Sequence, residues 1–294
     1  MLDVHHFSVP LSDGRELEVF EAGERDWPLV LIHNGTPTGG GLLTMHIVDA
    51  EARHLRLASY SRPGYGGSTR LPGRSVAQAA ADALSIADHL GAERFATWGI
   101  SGGGPHALAC AALLPDRVVA AASLAAVAPH ELLENDFLVG MGQENIDEFS
   151  AALAGETALT AHIAAANEGM REAGVAEAVE AMRSLLSPED LAVFTGEFGQ
   201  ELVQTMRDGL APGFYGWLDD DLAFVRPWGF DLQDIRVPLQ IWQGRRDLMV
   251  PYEHGRRIAQ ALPDAQRHLS EVDGHLTLYA RRVPEVHAWI AQHF

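Results

Sequence analysis

The chain has 294 residues, 47% of them apolar, and one cysteine: ample for a buried core, too few for an internal disulfide or a cysteine-cluster metal site. Its formal net charge of −19 argues against nucleic acid and anionic membrane surfaces as partners. All 21 basic residues are arginine, which excludes a lysine Schiff base, a pyridoxal phosphate anchor, a P-loop lysine and a Ser–Lys dyad.

Residues 1–6 show neither a basic stretch nor an apolar run, and the longest apolar run, 118–129, is too short to span a bilayer. A soluble cytoplasmic protein is therefore expected. Stretches 4–10 and 16–22 alternate in character around Ser12-Asp13-Gly14 and predict a β-hairpin. The continuous apolar run 28–33 predicts a buried strand of a parallel sheet, emptying into the glycine-rich loop 34–41. A helix over 42–53, a strand over 56–60 and a turn-dense loop at 62–68 follow. Helix 76–90 has Ser75 as its N-cap candidate and Gly91 at its end. Strand 94–100, a tight turn, helix 106–114 and strand 118–125 complete the first half.

From 130 to 225 no strand is predicted, and helical spacing shows at 149–166 and 188–202. This stretch carries 19 acidic residues and three arginines, a net charge of −16. It reads either as a solubilised helical lobe or as a negative potential above a site beneath it, favouring neutral or cationic small molecules. Strands at 237–243 and 266–270, a helix at 252–262 and a last helix at 276–293, kinked or split at Pro284, resume the α/β rhythm. The pattern predicts an α/β fold with a mostly parallel sheet flanked by helices. The core is 1–129 and 226–294, and the inserted helical cap, or lid, is 130–225. Neither Gly39–Gly41 nor Gly64-Tyr65-Gly66-Gly67 is followed by the acid and spacing of a dinucleotide site, and no cofactor or metal is expected.

The tight turn is Gly99-Ile100-Ser101-Gly102-Gly103, a Gly-x-Ser-x-Gly nucleophile elbow between strand and helix. A serine hydroxyl needs a base, and the base needs a third group to fix its tautomer. Among 14 histidines, His275 follows the last strand, at the sheet edge where the elbow lies; Asp247 follows the strand before it. The order Ser101, Asp247, His275 is the order this elbow architecture uses. Asp273 is too near His275 in the chain and shapes its turn; His33 lines the site or bonds to backbone; His106 packs near the serine; Cys110 packs in the core. The Gly102 N–H is one candidate oxyanion donor, at a helix N-terminus. The second is the Thr36 N–H, or failing that the Gly35 N–H, from the loop after strand 28–33. Apolar insert residues form the insert's own core or line an acyl pocket. The pocket candidates are Phe137, Met141, Phe214 and Trp217, with His33 from the core.

With these motifs, together with His33-Asn34-Gly35-Thr36-Pro37 and Arg62-Pro63-Gly64-Tyr65-Gly66-Gly67-Ser68, nearly the whole chain resembles the α/β-hydrolase-fold superfamily. The resemblance implies a mostly parallel sheet of about eight strands, a cap inserted after the sixth, and a pocket between them. It departs in having Asn34 where relatives often have histidine. Serine at the elbow sets the chain apart from haloalkane dehalogenases and epoxide hydrolases, which use aspartate. The reading is a carboxylesterase-like serine hydrolase. Alternatives are an aminopeptidase resembling proline iminopeptidases, whose cap carboxylates hold a substrate amine, an acyltransferase, and a non-hydrolytic small-ligand receptor on the same fold.

Overall fold

The computed structural model describes residues 3–294. Strands β1 (Val4–Pro10) and β2 (Glu16–Ala22) pair antiparallel around Gly14, whose φ of +86° suits a residue without a Cβ. The remaining strands are β3 (Leu29–His33), β4 (Arg56–Tyr60), β5 (Phe95–Ile100), β6 (Val118–Leu124), β7 (Leu239–Gly244) and β8 (Gln266–Ser270). They form one eight-stranded sheet in the order β1-β2-β4-β3-β5-β6-β7-β8, and only the pairings of β2 are antiparallel. This is the α/β-hydrolase architecture.

Strands β3 to β7 are buried throughout because helices cover both faces. Leu29 and Leu31 pack with Ile86 and Leu108 on one side; Val30 and Ile32 pack with Ile47 and Leu278 on the other, the period of two a strand imposes. Each such side chain withdrawn from water stabilises the fold by about 2 kcal/mol. One register row crosses the sheet: His33 pairs with Gly99, Gly99 with Ser123, Ser123 with Ile241 and Ile241 with Arg267. The loops that follow therefore leave from one edge. Because β3 lies between β4 and β5, the chain turns first to one side and then to the other. The crevice at the ends of β3 and β5 is the switch point where such sheets bind ligands.

Four expectations need correction. Helix Gln78–His89 starts with Ala77 at its cap position, and Ser75 contributes only its backbone carbonyl, to the Gln78 N–H. The stretch 149–166 is not one helix: Gln143–Ala154 and Glu156–Met170 meet at Gly155, whose φ of +111° no helix accommodates. Likewise Pro188–Phe194 and Glu197–Leu210 break around Gly196. Helix His275–Ile290, by contrast, runs unbroken through Pro284. Val283 and Val286 on either side are fully buried, and this packing carries the helix past the missing N–H. Between β6 and β7 the insert is helical throughout, ending in helix Tyr215–Phe224, and no described helix is long and apolar enough to cross a membrane.

Candidate active site

Ser101 follows β5 directly and has φ +55°, a left-handed conformation rare for residues with a Cβ. It is held by backbone bonds on both sides: its N–H donates to Leu124 O at 2.9 Å, and its carbonyl accepts from Gly104 N–H at 2.9 Å. The flanking glycines are required by contact. A Cβ on Gly99 would lie 2.1 Å from Gly103 O, and one on Gly103 would lie 1.9 Å from His33 O. Both obstacles are backbone, so Gly103→Ala is expected to destabilise the protein by about 3 kcal/mol or more. A shift in the urea midpoint with an unchanged m-value checks it.

His275 and Asp247 meet although they are 28 residues apart: His275 Nδ1–H donates to Asp247 Oδ2 at 2.8 Å, both buried. Asp247 is held rigidly. Its Oδ1 accepts the N–H groups of Met249 and Val250 at 2.9 and 2.8 Å, and Gln243 Nε2 donates to Oδ2 at 3.1 Å. It thus shapes its own turn and orients the imidazole, leaving Nε2 as the ring's free nitrogen. Burial pulls the His275 pKa down, but the charge and hydrogen bond of Asp247, with a contribution from Asp190, outweigh it, and the net shift is upward from 6.5. Asp190 is a contact the sequence reading missed. From helix Pro188–Phe194 of the insert it accepts the N–H groups of His275 and Thr277 at 2.9 and 2.8 Å, capping helix His275–Ile290. Asp273 instead pairs with Arg282 at 2.8 Å. Among the described residues the Ser101 hydroxyl has no hydrogen bond to His275, a contact that often closes only around substrate; both line one cavity.

The loop after β3 reaches the elbow. A Cβ on Gly35 would be 3.4 Å from Ser101 Cβ, and one on Gly102 would be 2.3 Å from Thr36 Oγ1. The backbone N–H groups of Gly35, Thr36 and Gly102 have no acceptor among the described residues. Asn34, at the position where a histidine was noted as common, donates from Nδ2 to Gly39 O at 2.9 Å and Gly41 O at 3.1 Å, closing the glycine loop on itself. Beneath lies a buried network absent from the sequence reading. Arg62 donates to Asn34 O, and to Gly35 O at 3.2 Å; its Nη2 also donates to Asp220 Oδ2 at 2.6 Å. Asp220 accepts further bonds from the Thr36 hydroxyl at 2.8 Å and the Tyr65 hydroxyl at 2.9 Å, and pairs with Arg74 at 2.7 Å.

Ser101, Gly102, Thr36 and His275 line a cavity of about 590 Å³ between the sheet edge and the insert, with Trp217, Phe224, Met206, Met249 and Tyr279 among its walls. Of the pocket candidates only Trp217 faces it. His33 shares a strand face with Leu29 and Leu31, so it points under the loop toward Cys110, not into the cavity. Burial, then Arg62, lowers its pKa to about 3, and it is neutral. Phe137 packs against Phe149 and His254 in the core. Met141 is buried in the same cluster, and Phe214 rests on Tyr215 outside the cavity wall.

With the sheet order, the insert after β6 and the elbow after β5, the chain is an α/β-hydrolase-fold protein. A family model described as alpha/beta hydrolase fold matches residues 28–163. Similar solved structures include a hydrolase from Pseudomonas aeruginosa PA01, with a TM-score of 0.70 at 18% identity and 99% of each chain covered. A thermophilic esterase from Thermogutta terrifontis has a TM-score of 0.67 at 21% identity, covering 99% of this chain and 100% of that one. The enol-lactonase from Burkholderia xenovorans LB400 has a TM-score of 0.63 at 20% identity, covering 98% and 99%. At these identities the likeness is one of fold. No curated protein matches the chain in sequence.

Proposed function

We propose that the protein is a serine hydrolase of carboxylic esters or related acyl compounds, working through Ser101, His275 and Asp247, with residues 130–225 as a cap over the core. The observation that carries this reading is the His275–Asp247 pair at 2.8 Å, sharing one cavity with a serine held at positive φ. In the proposed cycle His275 Nε2 takes the Ser101 proton as the oxygen attacks the acyl carbonyl. The Gly102 and Thr36 N–H groups receive the oxyanion. The alcohol leaves with the proton from His275, and water, deprotonated by the same nitrogen, releases the acid and restores Ser101.

A short p-nitrophenyl ester tests it. Turnover is expected with a pre-steady-state burst of one nitrophenol per active chain. A folded chain that turns over no short ester would return the receptor reading. The base must be neutral to act, and Asp247 holds its pKa above 6.5. kcat/KM is therefore expected to fall as pH drops through an inflection above 6.5, and a flat profile from about pH 5 to 9 would exclude His275 as base.

A further inference from the structure

Three consecutive carboxylates on helix Tyr215–Phe224 meet three different fates. Asp219 pairs with Arg70, and Asp220 with Arg62 and Arg74. Among the described residues Asp221 meets no arginine. It is 1% exposed, lines the cavity, and its Oδ2 accepts no hydrogen bond. The carboxyl of Glu148 lies within hydrogen-bonding reach of it and accepts the Trp217 indole N–H at 3.0 Å. Burial, then Glu148, pushes the Asp221 carboxyl well above 3.8, and burial also raises Glu148 against the lowering effects of the Trp217 indole and His162, so two full negative charges side by side are disfavoured there. A buried acceptor with an unused oxygen destabilises the site, and a ligand's donor would recover that loss.

We propose that Glu148 and Asp221 form a subsite for a primary or secondary ammonium group carried by the substrate. The proposal rests on the serine hydrolase reading and narrows it to amine-bearing acyl compounds. No lysine or arginine lines the cavity, while Glu144, Asp147 and Glu177 add negative potential, so an anionic group is disfavoured. A hydroxyl would fill the unused oxygen but bring no positive charge to two adjacent buried carboxyls. A metal ion would want a third protein ligand, and no group of three or more candidate ligands exists among the described residues. An ammonium supplies donors to both carboxyls and a positive charge that offsets their mutual repulsion, and any proton the pair holds leaves for solvent as the cation enters. The subsite is near the chemistry. Asp221 precedes Phe224 by three residues, about 5 Å along the helix, and the Phe224 ring lies 2.9 Å from where a Cβ on Gly102 would be.

The test pairs benzyl esters that differ only in a terminal ammonium or methyl group: β-alanine against butanoate, and 6-aminohexanoate against heptanoate. At pH 7 the wild-type chain is expected to prefer at least one amine ester by about tenfold or more in kcat/KM. Glu148→Gln and Asp221→Asn are each expected to bring that ratio to about one. Hydrolysis of the methyl esters without an amine preference, or a preference that survives both substitutions, would overturn the subsite and leave the hydrolase reading standing. If neither ester type is hydrolysed, the hydrolase reading falls and calorimetry with pentylammonium decides the subsite. Binding that weakens tenfold in Asp221→Asn supports it, and no binding, or binding unaffected by Asp221→Asn, overturns it.

Discussion

Ser101→Ala is expected to lower kcat/KM for a short p-nitrophenyl ester by about 10⁴-fold or more, with little change in stability. Among the described residues the serine hydroxyl makes no hydrogen bond, and alanine tolerates the same backbone as serine, so the unfolding free energy from urea titration should stay within about 0.5 kcal/mol of the parent. Any loss therefore belongs to the reaction. His275→Ala should lose a comparable amount, and the double variant little more, because nucleophile and base act as one unit. Asp247→Asn, which removes the charge but keeps the shape, should lose about 10³–10⁴-fold, since an amide can present its NH₂ to Nδ1 and hold the wrong tautomer. A Ser101→Ala chain retaining a tenth of parental activity would move the chemistry elsewhere in the cavity.

The parts of this site that are legible in sequence are those fixed by local geometry. An elbow needs glycines within two residues of its serine, and the contacts at Gly99 and Gly103 show why: backbone occupies the place of their Cβ atoms. Asp247 and His275 each follow a strand end in the sequence, and the register row from His33 to Arg267 brings those ends level, where the two side chains pair. His33 fails the same reasoning by parity: a strand end sets the edge, but alternation sets the face, and this side chain falls on the face toward Cys110. The insert was readable only in bulk. Its charge of −16 describes one population, yet its carboxylates differ in role. Asp190 caps the His275 helix from 85 positions away, Asp220 holds Thr36 across 184, and Asp221 faces the cavity. Three adjacent aspartates on a helix point about 100° apart, and only tertiary packing decides which meets an arginine. Gly155 and Gly196 broke helices that spacing alone would continue, because a periodic pattern does not record where the chain must turn.

Asp220→Ala is expected to be the most damaging substitution outside Ser101, Asp247 and His275, acting on stability and turnover together. It would leave Arg62 and Arg74 as buried cations without their carboxylate, a loss of about 3–5 kcal/mol, or about 10 °C in Tm. Asp220→Asn keeps the acceptor for Thr36 and Tyr65 and should lose less. Burial alone would raise the Asp220 pKa, but Arg62 and Arg74 dominate and hold it far below 3.8. Its contribution to stability is thus complete above the unfolded value and is lost as pH falls below 3.8. Unfolding free energy from pH 5 down to 2 should therefore fall less steeply in Asp220→Asn than in the parent. The effect on turnover follows from what Arg62 and Asp220 hold. Between them they bind the Asn34 and Gly35 carbonyls and the Thr36 hydroxyl, and so aim the N–H groups of that loop. Those donors matter most when charge develops on the substrate oxygen. Asp220→Asn should therefore lower kcat by about 10-fold or more with KM nearly unchanged, toward the ~10²–10³-fold of losing an oxyanion donor outright. Unchanged kcat in a destabilised Asp220→Asn chain would assign the network to folding alone and leave the loop after β3 positioned by Gly35 and the closed turn of Asn34.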